Sequence, residues 1–396
     1  MTVLAIITWI IFVYLAASVG YLFFFALAGR LGKLRRYTRH EQKARIAVLI
    51  PSYKEDNVII DTAKQALLQS YPSGQYSVTV IADSLQPATV AALRGLPVNV
   101  VEVSFEKSMK AKSLNAAFQQ LPSGHYDVAM ILDADNIMSE GTLEKINHAY
   151  QSGWQVIQCH RTAKNKNTSV AVLDAMSEEV NNTIFRRGHR AAGFSCTLIG
   201  SGMAFQYDLL KQIFALPEIQ NNPGEDREVD IQLVKKGIVV EYIEDAFIYD
   251  EKVQRKEVFE KQRTRWLATQ VDHFKRFLKK DMLAHAGKKT YMNKLFQNIL
   301  LPRLLFMLLF CAVLFVCAID ALVAPALLSP AWPWWTGLFL LYLLTMLTAI
   351  PGSFYNKTTF NALLEVPALV VSMLKALLKI KQNKRGFIHT PKEFSR

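Results

Sequence analysis

Residues 1–29 carry no charged side chain, and the segment that follows them is dominated by bases. Residues 3–27 alone form 25 uncharged, mostly apolar positions, more than the ~20 a helix needs to cross a bilayer. A cleaved signal peptide is the competing interpretation, since Ala26-Leu27-Ala28 imitates a cleavage site. Against it, no Lys or Arg precedes the run, and the run is long for the apolar part of a signal. Arg30, Lys33, Arg35, Arg36, Arg39, Lys43 and Arg45 follow, against the single acid Glu41. The charge rule therefore places the chain after residue 30 in the cytoplasm and the N-terminus outside.

A second uncharged stretch covers residues 321–356. Upstream of it, residues 295–319 are apolar apart from Arg303, which is placed to snorkel at a membrane boundary. Asp320 and residues 325–333 then read as an outside turn, with Trp332, Trp334 and Trp335 in an interfacial belt, and residues 334–350 return as a third span. Residues 360–380 are apolar but hold Glu365, Lys375 and Lys379. A crossing there would leave the basic tail (Lys381, Lys384, Arg385, Lys392, Arg396) outside, so an interfacial amphipathic helix is expected instead of a fourth span. The net charge of +13 follows from bases flanking each membrane boundary and needs no nucleic-acid partner. The four cysteines form no C-x-x-C pair, which fits a reducing compartment for the aqueous part.

Residues 33–294 have ordinary globular composition, which excludes both a polytopic bundle and a disordered chain. Residues 45–51 are a short β-branched run closed by Pro51, a buried-strand pattern. Further strands read at 77–83, 98–103 and 127–133, with helical stretches at 57–69 and 111–120. This alternation predicts an α/β fold with a mostly parallel sheet and right-handed crossovers. Ligands of such sheets lie beyond the carboxyl ends of the strands. Tyr53, Glu55, Asp83, Asp133 and Asp135 all fall there.

Asp133-Ala134-Asp135 sets two carboxylates at the end of an apolar strand, a pattern that suits Mg²⁺ or Mn²⁺ shared with phosphate oxygens. Taken alone it equally describes a solvated acidic loop. Lys110 and Lys112 could neutralise phosphate, or simply begin a basic helix. Glu225 and Asp226 follow a Pro-Gly turn; a carboxylate there could serve as general base, and acids also favour a helix N-terminus for its dipole. Gln262, Arg265 and Trp266 sit on a basic amphipathic helix, where Arg and Trp can clamp a phosphate and stack on a sugar or anchor the helix at an interface. His160, His189 and His273 lack metal-ligand spacing and read as structural or surface residues. Cys196 precedes a glycine-rich segment and is a candidate pocket residue without nucleophile signals.

In order along the chain these motifs resemble glycosyltransferase family 2, in its membrane-bound, inverting branch of cellulose, chitin and hyaluronan synthases and ceramide glucosyltransferase. Pro51-Ser52-Tyr53-Lys54-Glu55 resembles the P-x-Y-x-E opening, and Asp83 the acid that points at uracil. Lys110-Ala111-Lys112-Ser113-Leu114-Asn115 is similar to G-K-A-x-A-L-N, with Met109 in place of the glycine and Ser113 in place of an alanine. Asp133 and Asp135 match D-x-D. Gly200, Ser201 and Gly202 resemble the glycine-rich segment under the acceptor, Glu225-Asp226 the E-D pair, and Gln262, Arg265 and Trp266 match Q-x-x-R-W. Phe387-Ile388-His389-Thr390-Pro391-Lys392 looks like the F-x-x-T-x-K gating loop of processive synthases.

The resemblance implies a GT-A fold divided as follows: an N-terminal transmembrane helix (1–29), a cytoplasmic glycosyltransferase domain (30–253), interfacial helices with Q-x-x-R-W (254–294), two transmembrane helices (295–351), and an interfacial helix with a cytoplasmic tail (352–396). It implies donor-binding roles for Pro51, Tyr53, Glu55, Asp83, Lys110, Asp133, Arg265 and Lys392. Metal binding falls to Asp133 and Asp135, and the base to Asp226. Acceptor contacts fall to Gly200, Ser201, Gly202, Glu225, Gln262 and Trp266. The expected activity is inverting transfer from a UDP-sugar to a growing β-linked polysaccharide at an inner or plasma membrane, with a homo-oligomer or partner subunit completing the pore. The alternative is transfer of one sugar to a membrane lipid. A catalytically silent membrane scaffold is a third reading, which the intact acids oppose.

Overall fold

A computed structural model describes residues 3–33, 35–279, 282, 288–323 and 329–379. The first half of the chain runs α1 (Val3–Leu31), β1 (Ile46–Tyr53), α2 (Ile59–Ala66), β2 (Tyr76–Asp83), α3 (Pro87–Arg94), β3 (Asn99–Val103), α4 (Lys110–Gln120), β4 (Val128–Ile131), β5 (Ile137–Met138), α5 (Thr142–Gln151) and β6 (Val156–Ala163). Next come α6 (Ser169–Asn181), a π-helical turn (Asn182–Gly188), α7 (His189–Ala191), β7 (Met203–Gln206), α8 (Tyr207–Phe214), α9 (Pro217–Gln220), α10 (Glu225–Lys235) and β8 (Glu241–Asp250). The remaining helices are α11 (Lys256–Phe277), α12 (Lys288–Ile299), α13 (Arg303–Val323), α14 (Trp332–Ala349), α15 (Lys357–Leu363) and α16 (Val366–Lys379).

The eight strands form one sheet in the order β3-β2-β1-β4-β7-β6-β8-β5. Ile46 to Ile50 of β1 are wholly buried, as a central strand covered on both faces requires. One face packs on α4 and α8 through Leu114, Phe118, Leu210 and Phe214. The other packs on α2 and α5 through Ile59, Ala63, Leu143 and Ile146. Strands β3, β2, β1 and β4 are parallel, as the alternation predicts, but β7 runs antiparallel to both β4 and β6, so the sheet is mixed. The parallel register sets Tyr53 beside Asp83 at one edge. Leu132 N–H donates to Leu49 O, 3.0 Å away, which brings Asp133 to the same edge.

Among the described residues two helices are long and apolar enough to cross a membrane, Val3–Leu31 and Arg303–Leu322. They pack with α14 around Leu15, Val19, Phe306, Phe310, Trp335 and Tyr342. The expected span over residues 295–319 is split. Helix α12 ends at Ile299, and Pro302, which disfavours helix in the residue before it, lets a new helix begin at Arg303. Arg303 has protein partners: its guanidinium donates to Asn181 Oδ1 at 2.9 Å and to Ser177 O and Oγ at 2.7 and 2.5 Å. The single amphipathic helix expected over residues 360–380 is likewise divided into α15 and α16.

Helix α1 meets the π-helical turn at backbone distance. A Cβ on Gly188 would lie 2.1 Å from Phe25 O, and one on Gly29 would lie 2.2 Å from Thr183 O. Only glycine permits this approach. Gly188→Leu should therefore force the two segments apart and cost about 1–3 kcal/mol, lowering the melting temperature of the full chain by several degrees. Gly20→Leu, in the same helix but with nothing within 4 Å of its Cβ, should melt as the parent does. Equal melting of the two variants would contradict this packing.

Candidate active site

The site is assembled by Lys110, the first residue of α4. Its ammonium donates to Asp133 Oδ1 at 2.5 Å and to Gly200 O at 2.6 Å, and lies 3.7 Å from Glu225 Oε1. Burial would strip its proton, but the Asp133 and Glu225 carboxylates outweigh that and hold its pKa above the ordinary lysine value. Gly200 has φ +77°, the left-handed backbone that turns its carbonyl onto Lys110. A Cβ at Gly200 would lie 3.6 Å from Asp226 Oδ2 and 3.8 Å from Lys110 Nζ. Lys110, Asp133, Gly200, Glu225 and Asp226 thus share one small space.

The loop below that space is pinned by hydrogen bonds. Gln158, fully buried in β6, donates through Nε2 to Ser201 O (2.9 Å) and accepts at Oε1 from Ile199 N (3.1 Å). Gly202 has φ +66°, and a Cβ there would meet Ile248 Cγ1 at 2.6 Å. Ser201, expected near the acceptor, is buried behind the acids: its Oγ accepts from Asp133 N at 3.0 Å and donates to Asn136 Oδ1 at 2.6 Å. Asn136 Nδ2 in turn donates to Asp250 Oδ1 (3.0 Å) and Asp135 Oδ1 (3.3 Å). Asp250 accepts from Lys252 at 2.7 Å, and Glu178 takes both Lys252 and, at 2.9 Å, Arg161 Nε. The orientation of the two acids therefore depends on a buried chain of charges.

Glu225 and Asp226 begin α10, where the helix dipole favours acids. Burial, reinforced by the neighbouring Asp226, pushes Glu225 up to about 7 even though Lys110 pulls the other way. Helix α10 is strapped to its neighbours at three points. Gly224 abuts Thr269 of α11, where a Cβ would come within 2.4 Å of Cγ2. Glu228 accepts from Arg276 of α11 at 2.5 Å. Asp230 accepts from the buried Lys294 of α12 at 2.8 Å. On α11, Trp266 lies one turn before Thr269. Gln262 and Arg265 share the helix, and Arg263, between them, forms an ion pair with Asp174 of α6.

At the other end of the site Asp83 is buried, with Ser84 and Ser108 donating to Oδ1 at 3.0 Å each and Ser113 to Oδ2 at 3.3 Å. Ser113, the departure from the family alanine, thus has a partner. Lys54 and Ser84, flanking this corner, have φ of 54° and 57°, a strained conformation that clusters at functional sites. Pro51, Tyr53 and Glu55 lead into the same edge from β1. Lys112 turns away, donating to Lys107 O at 3.3 Å. Lys392 and the rest of the expected gating loop lie outside the described residues.

Cys196 does not line a pocket; it is fully buried, its thiol pushed up to about 12 by that burial. His189 and His273 are buried and His160 half-buried against Glu179, in keeping with structural roles. Asn136, Arg161, Asp174, Glu178, Lys252 and Lys294 were not singled out by sequence reasoning. A signal for two of them exists: Asp174 and Glu178 stand four apart on the apolar face of α6, beside Val170 and Leu173.

Because folding raises the Glu225 pKa, the proton it retains stabilises the folded state at low pH, and that stability is lost as pH rises through about 7. Melting temperature should fall between about pH 5 and 8, and Glu225→Gln should flatten that slope. An identical slope in the variant would contradict the assignment.

The family model described as "Glycosyltransferase like family 2" matches residues 44–269, more than half of the chain. No curated protein matches with significance. Among solved structures, the chain is similar to the mannosyltransferase PcManGT from Pyrobaculum calidifontis in complex with GDP-Man and Mn²⁺, at 16% identity and a TM-score of 0.62, over 94% of this chain and 98% of that one. It also aligns with residues 1–349 of S. aureus TarS at 13% identity and a TM-score of 0.43, over 86% of this chain and 92% of that one. The first of these likenesses takes in the apolar helices as well as the sheet. With the family model covering both acid pairs and the Q-x-x-R-W helix, the chain belongs to glycosyltransferase-like family 2 and is a glycosyltransferase built on a GT-A-like fold.

Proposed function

We propose that this chain transfers a sugar from a nucleoside-diphosphate sugar, UDP-linked by its resemblance to the inverting synthases, to the headgroup hydroxyl of a lipid held at the cytoplasmic face of an inner or plasma membrane. The observation that carries this reading is the meeting of Lys110, Asp133, Glu225 and Asp226 around Gly200. An ammonium already held between two carboxylates marks a place where a diphosphate can exchange for one of them. Asp226, beside it, takes the acceptor proton as the acceptor oxygen attacks the anomeric carbon from the face opposite the diphosphate, so configuration inverts. Lys110 and Arg265 stabilise the charge that develops on the leaving diphosphate.

Among the described residues no third carboxylate or imidazole completes a metal cage with Asp133 and Asp135. Two oxygen donors at a strand end nevertheless fit a Mg²⁺ or Mn²⁺ whose other ligands come from phosphate and water. Asp133 and Asp135 would hold that ion, which would add positive charge at the diphosphate.

A lipid acceptor is preferred to a threaded polysaccharide because the space between α1, α13 and α14 is filled. Phe306, Phe310 and Trp335 are at most 1% exposed there. The base-bearing α10 is also strapped to α11 and α12, and α12 leads through Pro302 into the apolar α13, which supports a site close to a membrane surface.

The test is turnover of the full chain in nanodiscs with labelled UDP-sugars, Mg²⁺ or Mn²⁺ and a total membrane lipid extract. A small lipid-soluble product is expected. A high-mass product would overturn the lipid reading in favour of a polysaccharide synthase, and no UDP release from any donor would overturn both. Asp226→Asn should keep donor binding while transfer falls by about 10²-fold or more. Asp135→Ala should weaken donor and metal binding together.

A further inference from the structure

Phe259, Arg263 and Trp266 stand four and three residues apart on α11, and the first two of them meet α6. The Arg263 guanidinium lies 4.6 Å from the Phe259 ring centroid and 4.3 Å from that of Trp266. Its Nη2 donates to Asp174 Oδ1 of α6, and the two side chains are only 16% and 10% exposed. Arg263 Nε is buried without a partner. Leaving a guanidinium N–H unmet is costly, and an apolar pair in place of a buried ion pair is often at least as stable. Stability therefore does not explain this arrangement, whereas a fixed ring plane does. Planar guanidinium stacks on one indole face and is itself held in plane by a carboxylate.

We propose that Arg263, fixed by Asp174, is a positioning residue that sets the plane of Trp266, so that the indole offers a single free face to the ring or chain of the acceptor. The inference rests on the reading of Trp266 as an acceptor contact. It adds that the x position after glutamine in the Q-x-x-R-W motif acts in acceptor recognition here, through a residue of α6 that lies outside the motif. Trp266 stands one turn from Thr269, which touches Gly224 just before the Glu225-Asp226 pair. A tilt of its ring is therefore felt where the acceptor hydroxyl must meet Asp226.

The experiment compares the full chain in nanodiscs with Arg263→Met, Arg263→Lys, Asp174→Asn and the double variant Asp174→Leu/Arg263→Met. Transfer to a total membrane lipid extract gives the apparent acceptor KM. Donor hydrolysis without added lipid gives the donor KM, and the difference in fluorescence from Trp266→Phe isolates the signal of Trp266. Arg263→Met should raise the apparent acceptor KM about three- to tenfold, with the donor KM within about twofold of the parent and a changed Trp266 signal. Arg263→Lys, which keeps charge but not the plane, should recover only part of the loss. The double variant removes the buried charges while keeping bulk, so a purely structural role predicts parental acceptor KM in it; that result would overturn the proposal. Acceptor and donor KM rising together would overturn it as well. A parent chain that hydrolyses donor but transfers nothing to lipid would instead sink the acceptor reading beneath it.

Discussion

The ammonium of Lys110 is the contact on which the arrangement of the site depends. Three segments far apart in sequence bring oxygens to it: Asp133 at the end of β4, Gly200 in the loop before β7, and Glu225 at the start of α10. A half-buried lysine is costly alone, and so is a pair of half-buried acids beside each other. Together they fix one another, and Glu225 is left with a raised affinity for its proton. Such a cluster is stable in the free protein and still able to rearrange when a diphosphate brings charge of its own.

Around it, polar contacts supplement apolar packing where the sheet domain meets the C-terminal helices. Helix α6 is the clearest case. Asp174 reaches α11, Glu178 holds Lys252 and Arg161 behind the D-x-D acids, and Ser177 and Asn181 receive Arg303 from α13. Helix α10, which begins with Glu225 and Asp226, is tied in the same way through Arg276 and Lys294. Such directional contacts specify position more narrowly than oily surfaces can, as a transferase that must align donor and acceptor requires.

Much of this was legible in the residues. The short apolar run of residues 46–50, closed by Pro51, reads as a buried strand, and the acids placed just after such runs point to the site edge. The glycines of the 200–202 segment announced a backbone that other residues cannot adopt, though not that Ser201 would turn behind the acids. Other features depend on a partner that local pattern does not contain. Gly29 and Gly188 look like weaknesses in helices until the two are set against each other. The reversal at β7 is carried by only four residues, too few for periodicity to reveal direction. The apolar composition of residues 295–319 hid the break before Arg303, and nothing local shows that Lys294 faces Asp230. The acids of α6 were legible as inward-facing charges, but their targets lie on three other elements.

The central claim is that Lys110 marks the diphosphate position. Calorimetric titration of UDP with Mn²⁺ into the parent and Lys110→Met tests it most directly, with melting of each protein confirming the folded state. Loss of a charge-assisted contact predicts affinity weakened by about tenfold or more in the variant. Equal UDP affinity in a folded Lys110→Met chain would contradict the account.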